Sequence, residues 1–246
     1  MAFAIPDRRR IYLMRHGAVD YFRADGSPVA AEAVPLNDEG RRQATAAGDL
    51  FAQCGVAFNR VVASGLPRTL ETARLVLAAA GHAGCGVEVE PAFEEIRGGR
   101  LSSIAADRIE AAFLGVFGGG EGDDVESQRF LDGESVGELL DRVLPAFDRL
   151  LADDGWRSIL MVLHGGVNRA IVSRALAGRR AFFGGMEQSP ACINILDAGI
   201  GEARGRLVVR GVDLAPTQWL HQNERSTTME ALLAQFLSAA PRRPAP

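Results

Sequence analysis

Four short apolar runs, Ile11–Met14, Arg60–Ala63, Val87–Val89 and Ile159–Leu163, set the limits on this fold. They are largely continuous in hydrophobicity, not alternating, which is the pattern of parallel strands covered on both faces. Helical patterns fill the gaps between them. Asn37 is placed to cap a helix running to about Gln53, with Gly55 just past its end. After Ser64 a second helix begins with Pro67 in its first turn and stops near Gly81; its Leu70, Ala73, Leu77 and Ala80 recur at helical spacing. Two more run from about Ser135 to Ala152, where Pro145 is a kink candidate, and from Val167 to Leu176. The expected fold is α/β: three layers, α/β/α, with a mostly parallel central sheet and helices on both faces.

The stretch Gly98–Gly133 breaks this rhythm. It holds one helical pattern, Ala105–Leu114, and then the glycine-acid run Gly118–Asp124. It reads as a small inserted cap over about 99–133, within a single domain spanning 1–246. The Leu207–Leu214 region reads as an edge strand, and Pro241–Pro246 as a disordered tail. All 27 basic residues are arginine, which excludes a P-loop lysine, a Schiff-base lysine and a lysine general base. With 31 acidic residues the net charge is −4, so a general nucleic-acid surface is not expected. Cys54, Cys85 and Cys192 are too few and too scattered for a disulfide framework or a zinc knuckle. The first ten residues carry no apolar run of secretory length, and the longest apolar stretches fall far short of a membrane span. A cytoplasmic protein without a membrane partner is expected, and a homodimer is left open.

In an open parallel sheet, ligands bind beyond the carboxyl ends of the strands. Arg15-His16-Gly17 follow the first run, and Ser64-Gly65 with Arg68 follow the second. Glu94 and Glu95 come after the third, and His164-Gly165-Gly166 follow the fourth. Two histidines, two arginines and a carboxylate thus meet on one rim. Singly, each has a plainer explanation. His16 suits a satisfied histidine at a strand end, Gly165-Gly166 a tight turn, and Arg68 a surface pair with Glu71 worth ~0.2–0.5 kcal/mol. Yet a cation in a helix's first turn opposes the macrodipole, and a bound anion there removes the conflict. Arginine forks suit the oxygens of a phosphoryl group. A neutral imidazole can attack phosphorus, and a partly buried carboxylic acid can protonate the leaving oxygen and then activate water. Spacing does not choose between Glu94 and Glu95. His82 and His221 show no metal-ligand spacing and receive no role. The glycine-acid run lacks the lysine, strand and threonine of a P-loop, and its acids read as a solvated loop.

Leu13-Met14-Arg15-His16-Gly17 resembles the opening motif of the histidine phosphatase superfamily, phosphoglycerate-mutase-like branch 1. The likeness continues through Leu36–Ala44, Ala63–Ala73, Glu95–Gly99 and Val162–Val167, in the family's order. The resemblance implies that His16 is the phosphorylated nucleophile and Glu95 the acid and base, with Glu94 the fallback. It also implies that Arg15, Arg68 and His164 hold the phosphate, with Gly17 and Gly165 beside them. No metal or cofactor is implied. The expected activity is a metal-independent phosphomonoesterase acting through phosphohistidine on a phosphorylated small molecule. A phosphoglycerate mutase and a non-catalytic phospholigand-binding protein are the alternatives.

Three features depart from the family pattern. Val19 and Phe22 stand where members often carry threonine or serine, and asparagine. Arg100-Leu101-Ser102 replaces the usual Trp-Glu-Gly. The longer mutase motifs are missing between Gly99 and Gly133. These departures imply a more apolar pocket mouth, unsuited to small trianionic substrates.

Overall fold

The computed structural model describes residues 5–23, 27–118, 125–222 and 224–239. Most of the Gly118–Asp124 run and the Pro241–Pro246 tail lie outside the described residues. In chain order the elements are β1 (Arg8–Arg15), α1 (Asp38–Gln53), β2 (Arg60–Ala63), α2 (Pro67–Ala79), β3 (Glu88–Val89), α3 (Ile109–Leu114), α4 (Val136–Ala152), β4 (Ser158–Leu163), α5 (Gly165–Ala177), β5 (Ile193–Gly199), β6 (Leu207–Leu214) and α6 (Thr228–Ala239).

Three of the four apolar runs are buried on two sides; the third, Val87–Val89, is not the covered strand expected but a two-residue strand, Glu88–Val89, exposed because it lies at the sheet edge. Ile11 and Leu13 of β1, with Ile159, Met161 and Leu163 of β4, face one core that α4 and α5 cover. The intervening Met14, Leu160 and Val162 face a second core under α1 and α2. Helices thus sandwich one six-stranded sheet of order β3-β2-β4-β1-β5-β6. β3, β2, β4 and β1 pair in parallel, whereas β5 and β6 are antiparallel.

Local signals set most boundaries. Asn37 Oδ1 accepts from the Gly40 amide at 2.8 Å, the expected cap of α1. Ser135 and Glu138 form a capping box at the start of α4. Pro145 lies inside α4 without ending it. α5 begins at Gly165, so the two glycines read as a turn form its first residues. The expected Ala105–Leu114 helix is a 3-10 turn, Ala106–Arg108, followed by the shorter α3.

Two elements lie outside the sequence expectation. β5 was hidden because Asn194 and Asp197 interrupt its apolar pattern, yet both are satisfied. Asn194 Nδ2 donates to the Leu13 carbonyl at 3.0 Å, and Asp197 takes Arg10 and Arg210 on its two oxygens. α6 packs its Met229, Leu232, Leu233 and Phe236 against Ile104, Ile109, Phe113 and Leu131. The segment after β3 and the C-terminal helix therefore share a third core, separate from the two under the sheet. Among the described residues no helix is long and apolar enough to cross a membrane.

Candidate active site

Register places the two histidines. β1 and β4 are neighbours with Arg15 opposite Leu163, so His16 and His164, one residue further, leave the sheet side by side. The His16 amide donates to the Leu163 carbonyl at 3.0 Å, and the two rings meet edge-on with centroids 5.2 Å apart. β2 lies on the other side of β4, which brings Ser64 under His164, with Oγ 2.7 Å from Nε2.

His16 Nδ1 lies 2.7 Å from the Gly17 carbonyl oxygen. A carbonyl only accepts, so the neutral ring carries its proton on Nδ1 and keeps the Nε2 lone pair free. Both histidines are fully buried, at 1% and 0% exposure. Burial first, then Arg68 and Arg15, hold the His16 imidazole well below the usual histidine range. His164 is held low by burial, then by Arg68, His16 and Arg15.

The two arginines are buried beside them. Arg68 is 2% exposed and donates to the Ala31 carbonyl at 2.6 Å. The plainer alternative, a surface pair with Glu71, does not form: Glu71 takes Arg41 at 2.7 Å instead, because Arg68 turns inward. Arg15 donates to the Gln188 carbonyl and to Thr228 Oγ1, the latter at 3.0 Å. Arg15 Nε, Arg68 Nε and His164 Nδ1 are all buried without a hydrogen-bond partner. Buried polar atoms are almost always satisfied, so three orphans on neighbouring side chains make this a candidate ligand site, although Arg9 Nε and the Asn168 side-chain amide are orphaned as well.

Of the two candidate carboxylates, Glu95 is tied to the His164 turn. Its Oε1 accepts from the Gly166 amide at 3.0 Å and from the Ile96 amide at 2.9 Å. Gly166 permits this approach, since a Cβ there would stand 2.6 Å from Glu95 Oε1. Glu94 turns toward Arg97 at 3.4 Å. Arg142 of α4 fixes the loop below both, donating to the carbonyls of Ala92, Glu94 and Glu95. Gly17 and Gly165 both line the cavity, but the Gly17 amide is donated to Thr72 Oγ1 at 3.1 Å.

Arg15, His16, Arg68, Glu94 and Glu95 line one cavity of about 1300 Å³, also bordered by Val19, Phe22 and His221, while His164 lies behind His16, outside its lining. His82 is elsewhere, 3.2 Å from the Val56 carbonyl. Among the described residues, no three His, Cys, Asp or Glu side chains gather as a metal site. Sequence reading missed Ser64 as a partner of His164, and Arg142, Arg169, Gln188 and Thr228 altogether. Only Thr228 had a usable signal: Thr227 and Glu230 have the spacing of a capping box, ahead of an apolar run.

Comparison with known proteins identifies the family and the fold. The chain is 29% identical over 174 residues to a protein of Erwinia tasmaniensis named probable phosphoglycerate mutase GpmB, covering 68% of this chain and 74% of that one. Its fold is similar to that of the alpha-ribazole phosphatase from Shigella flexneri, with a TM-score of 0.64, 24% identity and coverage of 83% and 96%. It is also similar to a mycobacterial glucosyl-3-phosphoglycerate phosphatase, with a TM-score of 0.65, 22% identity and coverage of 84% and 99%. The family model described as the histidine phosphatase superfamily, branch 1, matches residues 11–210, and the chain belongs to that family.

Proposed function

We propose that this protein is a phosphomonoesterase that works through a phosphohistidine at His16. The observation that carries the reading is the set of unpartnered nitrogens on Arg15, Arg68 and His164 beside a histidine whose Nδ1 is already bonded. In the first half-reaction the His16 Nε2 lone pair attacks phosphorus and the bond to the ester oxygen breaks. Glu95 gives its proton to the departing alcohol. In the second, Glu95 takes a proton from water, the water oxygen attacks phosphorus, and the N–P bond breaks to release phosphate. Arg15, Arg68 and His164 donate to the phosphoryl oxygens throughout, supplying preorganised charge at the buried end of the cavity. The burial and neighbouring cations that keep His16 neutral also keep it nucleophilic. The reading assigns no metal.

The test is phosphate release from a panel of phosphomonoesters in the presence of chelator. Wild type is expected to hydrolyse esters, and His16→Ala to lose turnover while keeping its melting temperature. Turnover retained in the variant sinks the mechanism.

The name of the Erwinia relative favours a second reading, a phosphoglycerate mutase. Interconversion of phosphoglycerate isomers that depends on a bisphosphoglycerate primer would select it.

A further inference from the structure

The phosphate end occupies little of the cavity. A phosphoryl group displaces on the order of 100 Å³, a few water volumes, whereas the cavity measures about 1300 Å³. Most of the space therefore faces whatever the phosphate is attached to.

The larger part of the wall of that space is apolar, with Arg97, Arg100, Gln218 and Arg225 among the polar residues on it, and the apolar part comes from three separate stretches of chain. Val19 and Phe22 follow β1, Phe117 and Phe130 belong to the segment after β3, and Met229 and Leu232 lie on α6. All six are only half-buried. Aromatic pairs hold the wall from behind: Phe22 with Phe236 at 6.1 Å, Phe113 with Phe236 at 5.5 Å, and Phe117 with Phe130 at 5.6 Å between centroids. The carboxylates between this wall and His16 are engaged within the protein. Glu187 accepts from Thr228 and Arg169, and Asp213 accepts from the Ser189 amide and hydroxyl. A polyol lying here would set its hydroxyls against ring and methyl carbons and lose its hydrogen bonds to water. A hydrocarbon chain would lose nothing, and a concave apolar wall with a few convergent polar groups at one end is the usual form of a ligand site.

We infer that the leaving group of the substrate is an apolar alcohol. The site takes the phosphate monoester of a long alkyl or isoprenoid-like alcohol, with the phosphate at His16 and the chain along the Phe22, Phe117 and Leu232 wall toward α6. The products are inorganic phosphate and the free alcohol. This inference rests on the phosphomonoesterase reading of His16.

The n-alkyl phosphates from ethyl to decyl test it, because their leaving groups differ in length and hardly in reactivity. For wild type, kcat/KM is expected to rise about two- to fourfold per added methylene until the wall is covered, with glycerol 3-phosphate no better than ethyl phosphate. In Phe22→Asn and in Leu232→Asn, two variants on separate segments, the decyl-to-ethyl ratio of kcat/KM within each protein is expected to shrink at least tenfold. A flat or falling series in wild type overturns the inference, as does an unchanged ratio in both variants. Calorimetry with n-alkyl phosphonates, which cannot be turned over, separates this inference from the reading beneath it. Affinity that climbs with chain length while no ester is hydrolysed keeps the apolar wall as a binding site and sinks the phosphomonoesterase reading. Hydrolysis without any dependence on chain length, in either series, does the reverse.

Discussion

The two ends of β1 hold buried arginines that differ in their counter-ions, although Arg9 Nε, like Arg15 Nε and Arg68 Nε, has no hydrogen-bond partner. At the amino end, Arg9 lies 4.0 Å over the Trp156 ring, donates to the carbonyls of Leu151 and Asp153, and has Asp154 at 3.8 Å. Next to it, Arg10 meets Asp197 at 2.5 Å. At the carboxyl end, Arg15 and its neighbour Arg68 are 8% and 2% exposed, comparable with Arg9 at 2%. Neither forms an ion pair with a carboxylate among the described residues. A buried cation without a counter-ion costs several kcal/mol. One end of the strand meets that cost with aspartates and an indole; at the other the charge stands without an acid, which is what the proposed phosphate site would use. Buried arginine is thus not in itself a functional sign, but buried arginine without an acid, at the carboxyl ends of parallel strands, is.

The difference can be broken from either side. Arg15→Met and Arg68→Met are expected to lower kcat/KM by about 10²–10³-fold each, the effect of removing one donor from a transition-state oxygen. In phosphate-free buffer they leave the melting temperature unchanged or raised. A large loss of stability in both would mean that these arginines, like Arg9, serve the fold. Arg9→Met is expected to do the opposite, costing about 1–3 kcal/mol in chemical denaturation as two carbonyls lose their donor, with kcat/KM within twofold of wild type.

A third experiment reads the charge of the functional end directly. Because His16 and His164 are held low in the folded protein, the unfolded chain binds protons near pH 6.5 that the folded chain refuses. Their contribution to stability is complete above that pH and is lost as pH falls below it toward the lower folded values. Bound phosphate supplies the missing negative charge, raises both folded values and reduces the loss. Melting curves at pH 7.5 and 5.5, with and without phosphate, should therefore differ most at pH 5.5. An equal phosphate effect at both values would contradict the assignment. The smallest effect belongs to Thr228→Val, which removes the hydroxyl between Arg15 and Glu187. It should lower kcat/KM about three- to tenfold, the weight of one hydrogen bond, and no change would show that Gln188 alone positions Arg15.

What could be read from the sequence follows from where the chemistry sits. His16 and His164 stand directly after apolar strands and Arg68 in the first turn of the helix that follows one, so a rule about strand ends gathers them before any contact is known. Glu95 needed the family resemblance, because Glu94 beside it has the same spacing and chemistry. Arg142 and Arg169 were out of reach: each is an arginine on a helix, like several that face solvent, and only packing against the site distinguishes them. β5 was missed because its Asn194 and Asp197 look like breaks in a strand until Leu13, Arg10 and Arg210 are seen to satisfy them. Val19 and Phe22 were legible as departures, and both indeed line the cavity beside His16.

The contact between Arg15 and Thr228 spans 213 residues. During synthesis the arginine emerges long before its partner. The sheet that aligns both histidines is complete in its parallel part once β4 has formed, while the apolar wall and the brace on Arg15 wait for α6. A nascent chain short of α6 carries the two-histidine rim without the helix that helps enclose the rest of the cavity. Rim and enclosure are thus acquired at different moments of translation, and the cavity gains its last wall only once α6 has emerged and packed.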